Sequence, residues 1–541
     1  MERPERRSLA YVRMIAGVVL TAMLLGAVWL VVRARGEPAP SFTSQACALD
    51  PDYLHFTRTG YKSGRSGQVQ VIPRQPAYFS SGAGGWSHSG PWPYLQDVPL
   101  VFYGPGLIAP RGEVPGPTSL ADIAPTLAGL MGFDFDAPDG RELTEVTLGV
   151  PERPKLIVTV VWDGGGWNTL DQWPDAWPNL RRMMEGGHSF GDAVVGSSPS
   201  VTPSVHTTIG TGAFPWHHGI TDIPVFTTDG TTVDSFQNGE SSELIDVPAL
   251  AELWDEANGN RARIGMVGYE PWHLGMIGMG AARPGGDRDD AVWLNTDTND
   301  WISNDAEYRL PPSIPATGGL AEDVQALDSA DGEIDGAWGE HSILEDRSRL
   351  EEVPAFITYH ARVMQNLIAD EGYGDDGITD LMFTNFKQID RLGHYFNMAS
   401  DEVRQAVVES DRQLGELEAF LDDEVGRGEW VIAVTADHGQ QPDAGAIDGY
   451  GINPKEVLAD IDRRFGDISL TLRPTQLFLD EAAMAREDVT VAEVARYLSN
   501  YRLQDNAADP RQVIAGAGVF EPSDRLFAFV APSSMLEDFD C

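Results

Sequence analysis

Three apolar runs in this chain each lead into an aspartate, and that repeated pattern limits the fold more than any other feature. Residues 155–162 are nearly all apolar and are followed by Asp163 and three glycines. Residues 380–385 precede Asp390, and Trp430–Thr435 precedes Asp437. Continuous apolar runs mark strands buried on both faces, as in the centre of a parallel sheet. Helical segments alternate with them: Pro178–Gly186, 201–211, 248–257 with Pro248 suited to the first position, and 400–425. Residues 262–267 read as a further strand. The pattern predicts an α/β fold, a doubly wound and mostly parallel sheet with helices on both faces. Functional groups in such sheets gather at the carboxyl ends of the strands, so the three aspartates are expected to converge.

The outer parts of the chain are less regular. Residues 68–72 and 98–103 read as strands, the second closed by Gly104-Pro-Gly106. Residues 120–132 read as a helix stopped by Gly132, and 134–154 as a polar linker. Residues 280–350 are richer in Asp, Gly and Pro and read as a cap inserted beside the site, whereas 446–541 carry mixed signals. Length alone suggests two to four domains, although one large α/β domain with insertions fits equally well. The net charge of −44 over 541 residues argues against duplex nucleic acid or an anionic membrane surface as a partner.

Arg3, Arg6, Arg7 and Arg13 precede an uncharged apolar run over residues 14–32, long enough to cross a bilayer. The basic excess in front of the run predicts a cytoplasmic N-terminus and an external C-terminal body. No convincing small-x-small site closes the run, which favours a single-pass anchor at residues 1–36 in the cell membrane over a cleaved signal peptide. Residues 36–46 read as a short flexible tether. Cys47 and Cys541 are the two cysteines, and an external location permits them to pair.

The chemistry-bearing residues cluster in Asp163-Gly-Gly, Asp390-Arg-Leu-Gly-His394 and Asp437-His438-Gly439. Mixed Asp and His ligation suits zinc, and two such ions can clamp a pair of phosphoryl oxygens. Each aspartate taken alone could equally be a helix cap. Thr202 stands where a helix should open, so its hydroxyl is either a nucleophile assisted by the helix dipole or an ordinary cap. A second metal needs one more histidine, and none follows His438. The candidate is His88, far upstream in Trp86-Ser-His88-Ser-Gly90.

Taken in order, Asp163, Thr202, the stretch from Thr211 to Gly219, Asp390-x-x-x-His394 and Asp437-His438-Gly439 resemble the alkaline phosphatase superfamily. The likeness covers most of residues 155–440 and is strongest to the nucleotide pyrophosphatase/phosphodiesterase branch. It implies that Thr202 is the nucleophile, that Asp163, Asp437 and His438 hold one zinc, and that Asp390, His394 and a later histidine hold the other. In the family that histidine begins a segment ending in Val-Pro-Leu-x-Phe-x-Gly-Pro-Gly and an Asp-Ile-Ala-Pro-Thr-Leu helix. Here the same words stand in front, from His88 through Val98-Pro99-Leu100 and Gly104-Pro-Gly106 to Asp122-Ile-Ala-Pro-Thr-Leu127. The resemblance therefore implies a circular permutation. Residues 37–133 would be the family's C-terminal part moved forward, 134–154 the new join, and 155–541 the main catalytic domain. The old connection would run from 541 to 47, and a Cys47–Cys541 disulfide would re-close it.

The chain also departs from its relatives. Thr202-Pro-Ser-Val lacks the pattern of the sulfatase branch. Ile223 stands where the phosphodiesterase branch has an asparagine that contacts a phosphoryl oxygen. Lys387 could supply positive charge to such an oxygen, and Trp272 could line the leaving-group side. His206, His218 and His273 read as packed structural histidines. The implied function is a membrane-anchored, external, two-zinc phosphodiesterase acting through a covalent phospho-threonine. The alternatives are a phosphomonoesterase or phosphonate hydrolase, a phosphotransferase working on envelope polymers, and a tethered binding protein with a decayed site.

Overall fold

A computed structural model describes residues 39–80, 88–236, 241–506 and 518–541. The expected anchor at residues 1–36 lies outside the described residues. Among those described, no helix is long and apolar enough to cross a membrane.

Nine strands form the main sheet, in the spatial order Asp300–Ile302, Asp290–Asn295, Ile264–Val267, Asp380–Phe386, Leu156–Trp162, Trp430–Thr435, Leu100–Tyr103, His188–Ser189, Gly112–Glu113. The middle strands, from Asp290–Asn295 to Trp430–Thr435, are mutually parallel. Leu156–Trp162, the fifth of the nine strands, shows why the run had to be apolar throughout. Val158, Val160 and Trp162 pack into one hydrophobic core, and the alternating Ile157 and Val161 pack into a second on the opposite face. Period-two alternation thus divides a continuous apolar run between two layers.

The helices match their signals closely. Pro178–Gly186 is a helix with proline at its start, and Gly132 ends the Ile123–Met131 helix in the left-handed conformation at φ 63°. The long helix spans Asp401–Leu421, capped by Ser400, whose side chain accepts from Val403 N–H. Its last predicted residues instead form a π-helical turn, Asp422–Gly426. The helix expected from Pro248 begins at Leu250. Glu252 explains the later start, because its side chain reaches back to Ala249 N–H at 2.6 Å and sets the first turn there.

Three segments differ from expectation. Residues 280–350 are more than a cap: Asp290–Asn295 and Asp300–Ile302 extend the main sheet. The stretch 134–154 carries a short helix, Thr144–Thr147, and buries Leu143 and Val146. The tether expected at 36–46 becomes a helix at Phe42–Ala46. There Gln45 Oε1 accepts from Val530 N–H at 3.1 Å and Gln45 Nε2 donates to Ser499 Oγ at 3.2 Å. In each case a few apolar or amide side chains in a polar stretch found distant partners.

A second, four-stranded sheet joins the two ends of the chain, in the order Ser469–Arg473, Thr475–Leu479, Val69–Pro73, Phe527–Pro532. Val69–Pro73 is antiparallel to both of its neighbours. It buries Val69 and Val71 into a third core with Leu477, Leu479 and Val530. Beside this sheet Cys47 and Cys541 form a disulfide across a sequence separation of 494 residues. A cross-link that closes so long a loop chiefly restricts the unfolded chain. Cys47→Ser should therefore lower the urea midpoint, with a loss of about 2–4 kcal/mol. An unchanged midpoint would mean that the packed termini hold themselves.

Candidate active site

The three aspartates do converge, because Asp380–Phe386, Leu156–Trp162 and Trp430–Thr435 are adjacent and parallel. Asp163 directly follows its strand. Its Oδ1 accepts from Lys387 Nζ at 3.0 Å and its Oδ2 from Asn385 Nδ2 at 3.1 Å. Asp390 lies in the first turn of the Gln388–Phe396 helix, and one turn on is His394. Helical spacing puts both on one face, with His394 Nε2 3.3 Å from Asp390 Oδ1. Asp437 Oδ1 accepts from Gly164 N–H at 3.0 Å.

His88 reaches this centre from the front of the chain. Its Nε2 is 3.5 Å from Asp390 Oδ1, and its ring stacks on His438 with centroids 3.6 Å apart. Its Nδ1 lies 3.2 Å from the carbonyl of Ser200. Thr202 opens the Thr202–Thr211 helix but is not its cap. Val201 occupies that position in an extended conformation. The Thr202 hydroxyl is thus left for other work and accepts from Lys387 Nζ at 3.2 Å.

Two sets of donor atoms share Asp390. His88, Asp390 and His394 present atoms within 4.8 Å of one another, and so do Asp163, Asp390 and His438. Asp437 adjoins the second set, with Oδ2 3.4 Å from His438 Nε2. Both of these atoms are buried with no hydrogen-bond partner. Unpartnered buried polar atoms are costly, and these face one another among carboxylates. The donor chemistry, mixed imidazole and carboxylate, fits zinc-like ions.

The electrostatics point the same way. Burial pushes the Asp163 carboxyl up, against the pull of Lys387. Burial and then Asp163 push Asp437 well above the usual carboxylate range. Burial also opposes the Asp390 charge, but His394 and then Lys387 outweigh it and hold that carboxyl well below its usual value. Lys387 is raised despite burial because Asp163 and Asp390 surround it. Burial and the neighbouring His438 keep His88 neutral, the form in which an imidazole can bind a metal.

A cavity of about 500 Å³ opens over this floor. Thr202, Lys387, Asp390, His88 and His394 line it, together with Ile223 and Trp272 from the sequence reading. Residues 157–530 match the family described as type I phosphodiesterase / nucleotide pyrophosphatase. The chain belongs to this family. That places it in the alkaline phosphatase superfamily and supports a phosphoester hydrolase; its homologues are metal-dependent, and this chain has candidate metal-binding clusters. It is similar to alkaline phosphatase PafA of Elizabethkingia meningoseptica, 23% identical over 408 residues that cover 65% of this chain and 73% of that one. It is also similar to alkaline phosphatase PhoV of Synechococcus elongatus, 22% identical over 53% of this chain and 59% of the relative. A crystal structure of wild-type alkaline phosphatase PafA shares the fold, with a TM-score of 0.55, 20% identity, and coverage of 71% of this chain and 85% of the other.

Within this family site, several side chains were not anticipated from sequence. Asn385 links Asp163 to His206 Nε2 at 3.0 Å, and His206 Nδ1–H donates to the Thr202 carbonyl at 2.8 Å. His206 is therefore a packed positioning residue. Burial drops its pKa to about 3. His218, hydrogen-bonded to Thr208 Oγ1 at 3.2 Å, and His273 are likewise buried in the interior. Gln440 Nε2 donates to the carbonyls of Gly164 and Ile389 at 3.2 and 3.0 Å, tying the Asp163 loop to the Asp390 helix. Glu270, Arg391 and Arg473 line the cavity. A polar residue closing an apolar strand was the available signal for Asn385. Arg473, on a strand of the second sheet, had none.

Gly164 is the tightest point of this floor. It adopts φ +70°, and a methyl group there would lie 2.9 Å from Gln440 Nε2 and 3.0 Å from Asp390 Cα. Gly164→Ala should cost more than about 1 kcal/mol in stability and displace the amide that holds Asp437. Turnover should fall at least tenfold. Wild-type kcat/KM together with an unchanged melting temperature would show that the loop tolerates the shift.

Proposed function

We infer that the chain is a two-zinc phosphodiesterase of the nucleotide pyrophosphatase type that works through a covalent phospho-Thr202. Asp163, Asp437 and His438 would hold one ion, and Asp390, His394 and His88 the other. The observation that carries this reading is the placement of the Thr202 hydroxyl at the cavity floor, 3.2 Å from Lys387 Nζ and beside both donor sets. Zinc held by these residues would supply Lewis-acid stabilisation of the charge that develops on oxygen.

The chain's own residues would act as follows. Thr202 Oγ1 gives its proton to solvent water and bonds to phosphorus as the bond to the leaving oxygen breaks, and the departing alkoxide takes a proton from water. The Lys387 ammonium stabilises negative charge on Oγ1. His206 holds the Thr202 carbonyl and, staying neutral, fixes the first turn of the helix. Water then cleaves the Thr202–phosphorus bond and restores the hydroxyl. Trp272 and Ile223 make the flanking wall apolar, which suits the second ester group of a diester better than a free phosphoryl oxygen. A phosphomonoesterase is the second reading, favoured by the alkaline phosphatase names of the relatives. Phosphonate hydrolysis and phosphotransfer would use the same nucleophile.

The circular permutation belongs to the same proposal. The family match begins at residue 157 and leaves the segment with His88 outside it. That segment nevertheless lends Leu100–Tyr103 to the main sheet beside Trp430–Thr435. It also lends Val69–Pro73 to the sheet of the C-terminal strands, where Cys47 meets Cys541. A single-pass anchor at residues 1–36, with the catalytic body outside the cell, completes the reading, and an oxidising exterior would maintain the disulfide.

Thr202→Ala should abolish turnover with metal content intact, and Thr202→Ser should restore part of it. Activity of the alanine variant at the wild-type rate would remove the nucleophile assignment. His88→Ala should lower zinc by about one ion per chain, read by elemental analysis. Unchanged stoichiometry would remove His88 from the ligand set. A diester and a monoester bearing the same leaving group, compared by kcat/KM, decide between the two activities; a monoester preference would overturn the diester reading.

A further inference from the structure

A separate carboxylate cluster lies at the other end of the main sheet. Asp255 sits near the end of the Leu250–Ala257 helix. Asp287 and Asp289 lie in the segment leading into the Asp290–Asn295 strand. That is the amino end of a parallel strand, opposite the edge where Asp163, Asp390 and Asp437 gather. Oxygens of Asp255, Asp287 and Asp289 lie within 4.8 Å of one another. Asp255 is only 4% exposed, and its Oδ1 has no hydrogen-bond partner.

The neighbouring charges do not relieve this cluster. Arg283 lines the same small cavity, but it is turned to Glu256 at 3.0 Å and Glu252 at 3.8 Å. Glu252 is itself satisfied by the amides of Ala249 and Met279, at 2.6 and 2.8 Å. The two segments are already fixed to one another by Asn260 Nδ2, which donates to the Gly285 carbonyl at 3.0 Å. The carboxylates are thus held close by a framework that does not need their repulsion. Burial and then Asp287 push Asp255 up to about 7, and burial and then Asp255 push Asp289 well above the usual range.

We propose that Asp255, Asp287 and Asp289 form a structural calcium site that fastens the 280–289 loop to the Leu250–Ala257 helix. The donors are oxygens alone, with no imidazole or thiolate, which selects a hard cation over zinc. Exposed Asp287 and half-buried Asp289 leave room for water ligands around the buried Asp255, as flexible calcium coordination allows. The site is independent of catalysis and does not rest on the phosphodiesterase reading.

The test is thermal denaturation and calorimetric titration of the full zinc-loaded chain with calcium chloride. Saturable binding of one calcium per chain, with a rise in melting temperature of several degrees, is expected. The Asp287→Asn/Asp289→Asn variant should match or exceed the wild type in stability without calcium, because like-charge repulsion is relieved, and it should lose the calcium response. Asp255→Asn should lose it too. No heat and no shift in the wild type would overturn the proposal. So would an equal shift with magnesium, or a calcium response retained in the double variant, which would reveal adsorption elsewhere on the acidic surface.

Discussion

The site depends on a conflict of charge that the fold itself creates. Adjacent parallel strands lie about 4.8 Å apart, so residues at their carboxyl ends must crowd together. Here those residues are Asp163, Asp390 and Asp437, all buried. Isolated buried carboxylates cost several kcal/mol each. Lys387 offsets part of that cost by bridging Asp163 and Asp390 at 3.0 and 2.8 Å. It leaves Asp437 Oδ2 and His438 Nε2 unpartnered. A protein that keeps such atoms in its interior has a use for cations there, and the histidines supplied on both sides agree with that.

The architecture holds this conflict in place from two directions. From below, the strands are locked between two apolar cores. From above, the N-terminal segment threads across the strand ends. Gly439 N–H donates to the Leu95 carbonyl at 3.2 Å, Trp167 N–H to Asp97 at 3.1 Å, and Val98 N–H to Ala193 at 3.0 Å. These bonds place His88 against His438. The second sheet anchors the same segment through Val69–Pro73, and Arg473 of that sheet reaches back to Asp222 Oδ1 at 3.3 Å. The parts of the chain most distant in sequence therefore meet around one cavity, with Cys47–Cys541 tying their ends.

Much of this was legible from local pattern. The apolar runs announced central strands because a strand buried on both faces admits few other residues. Asp390 and His394 announced one helix face by their spacing. His88 was legible only through the words that follow it, Val98-Pro99-Leu100 and Asp122-Ile-Ala-Pro-Thr-Leu127, since a histidine among Gly, Ser and Trp carries no periodic signal of its own. What stayed hidden was non-local. Val69–Pro73 alternates like any edge strand, and nothing near it names Thr475–Leu479 or Phe527–Pro532 as partners. Asp290–Asn295 was obscured by the acidic, glycine-rich residues around it. Arg473 enters the cavity only because the second sheet folds over it. Gln440 and Asn385 act by hydrogen bonds to backbone and carboxylate, which residue type alone does not reveal.

The charges around the cavity bear on the proposed substrate. Three cationic side chains line the cavity among the described residues: Lys387, Arg391 and Arg473. Each is already engaged. Lys387 is shared by Asp163 and Asp390, Arg391 lies 3.5 Å from Glu351 Oε1, and Arg473 Nε donates to Asp222. Charges so neutralised offer little to a second phosphoryl charge, because the Coulomb attraction of an ion pair to a third ion is largely cancelled at similar distances. A monoester dianion must place that extra charge somewhere near Ile223, which has no donor to give. A diester, the substrate proposed above, would carry a single negative charge and could turn its second substituent toward Ile223 and Trp272, which line the cavity. On the proposed diester reading, the apolar Ile223 and Trp272 would penalise the more highly charged substrate more and would favour an ester with two organic groups.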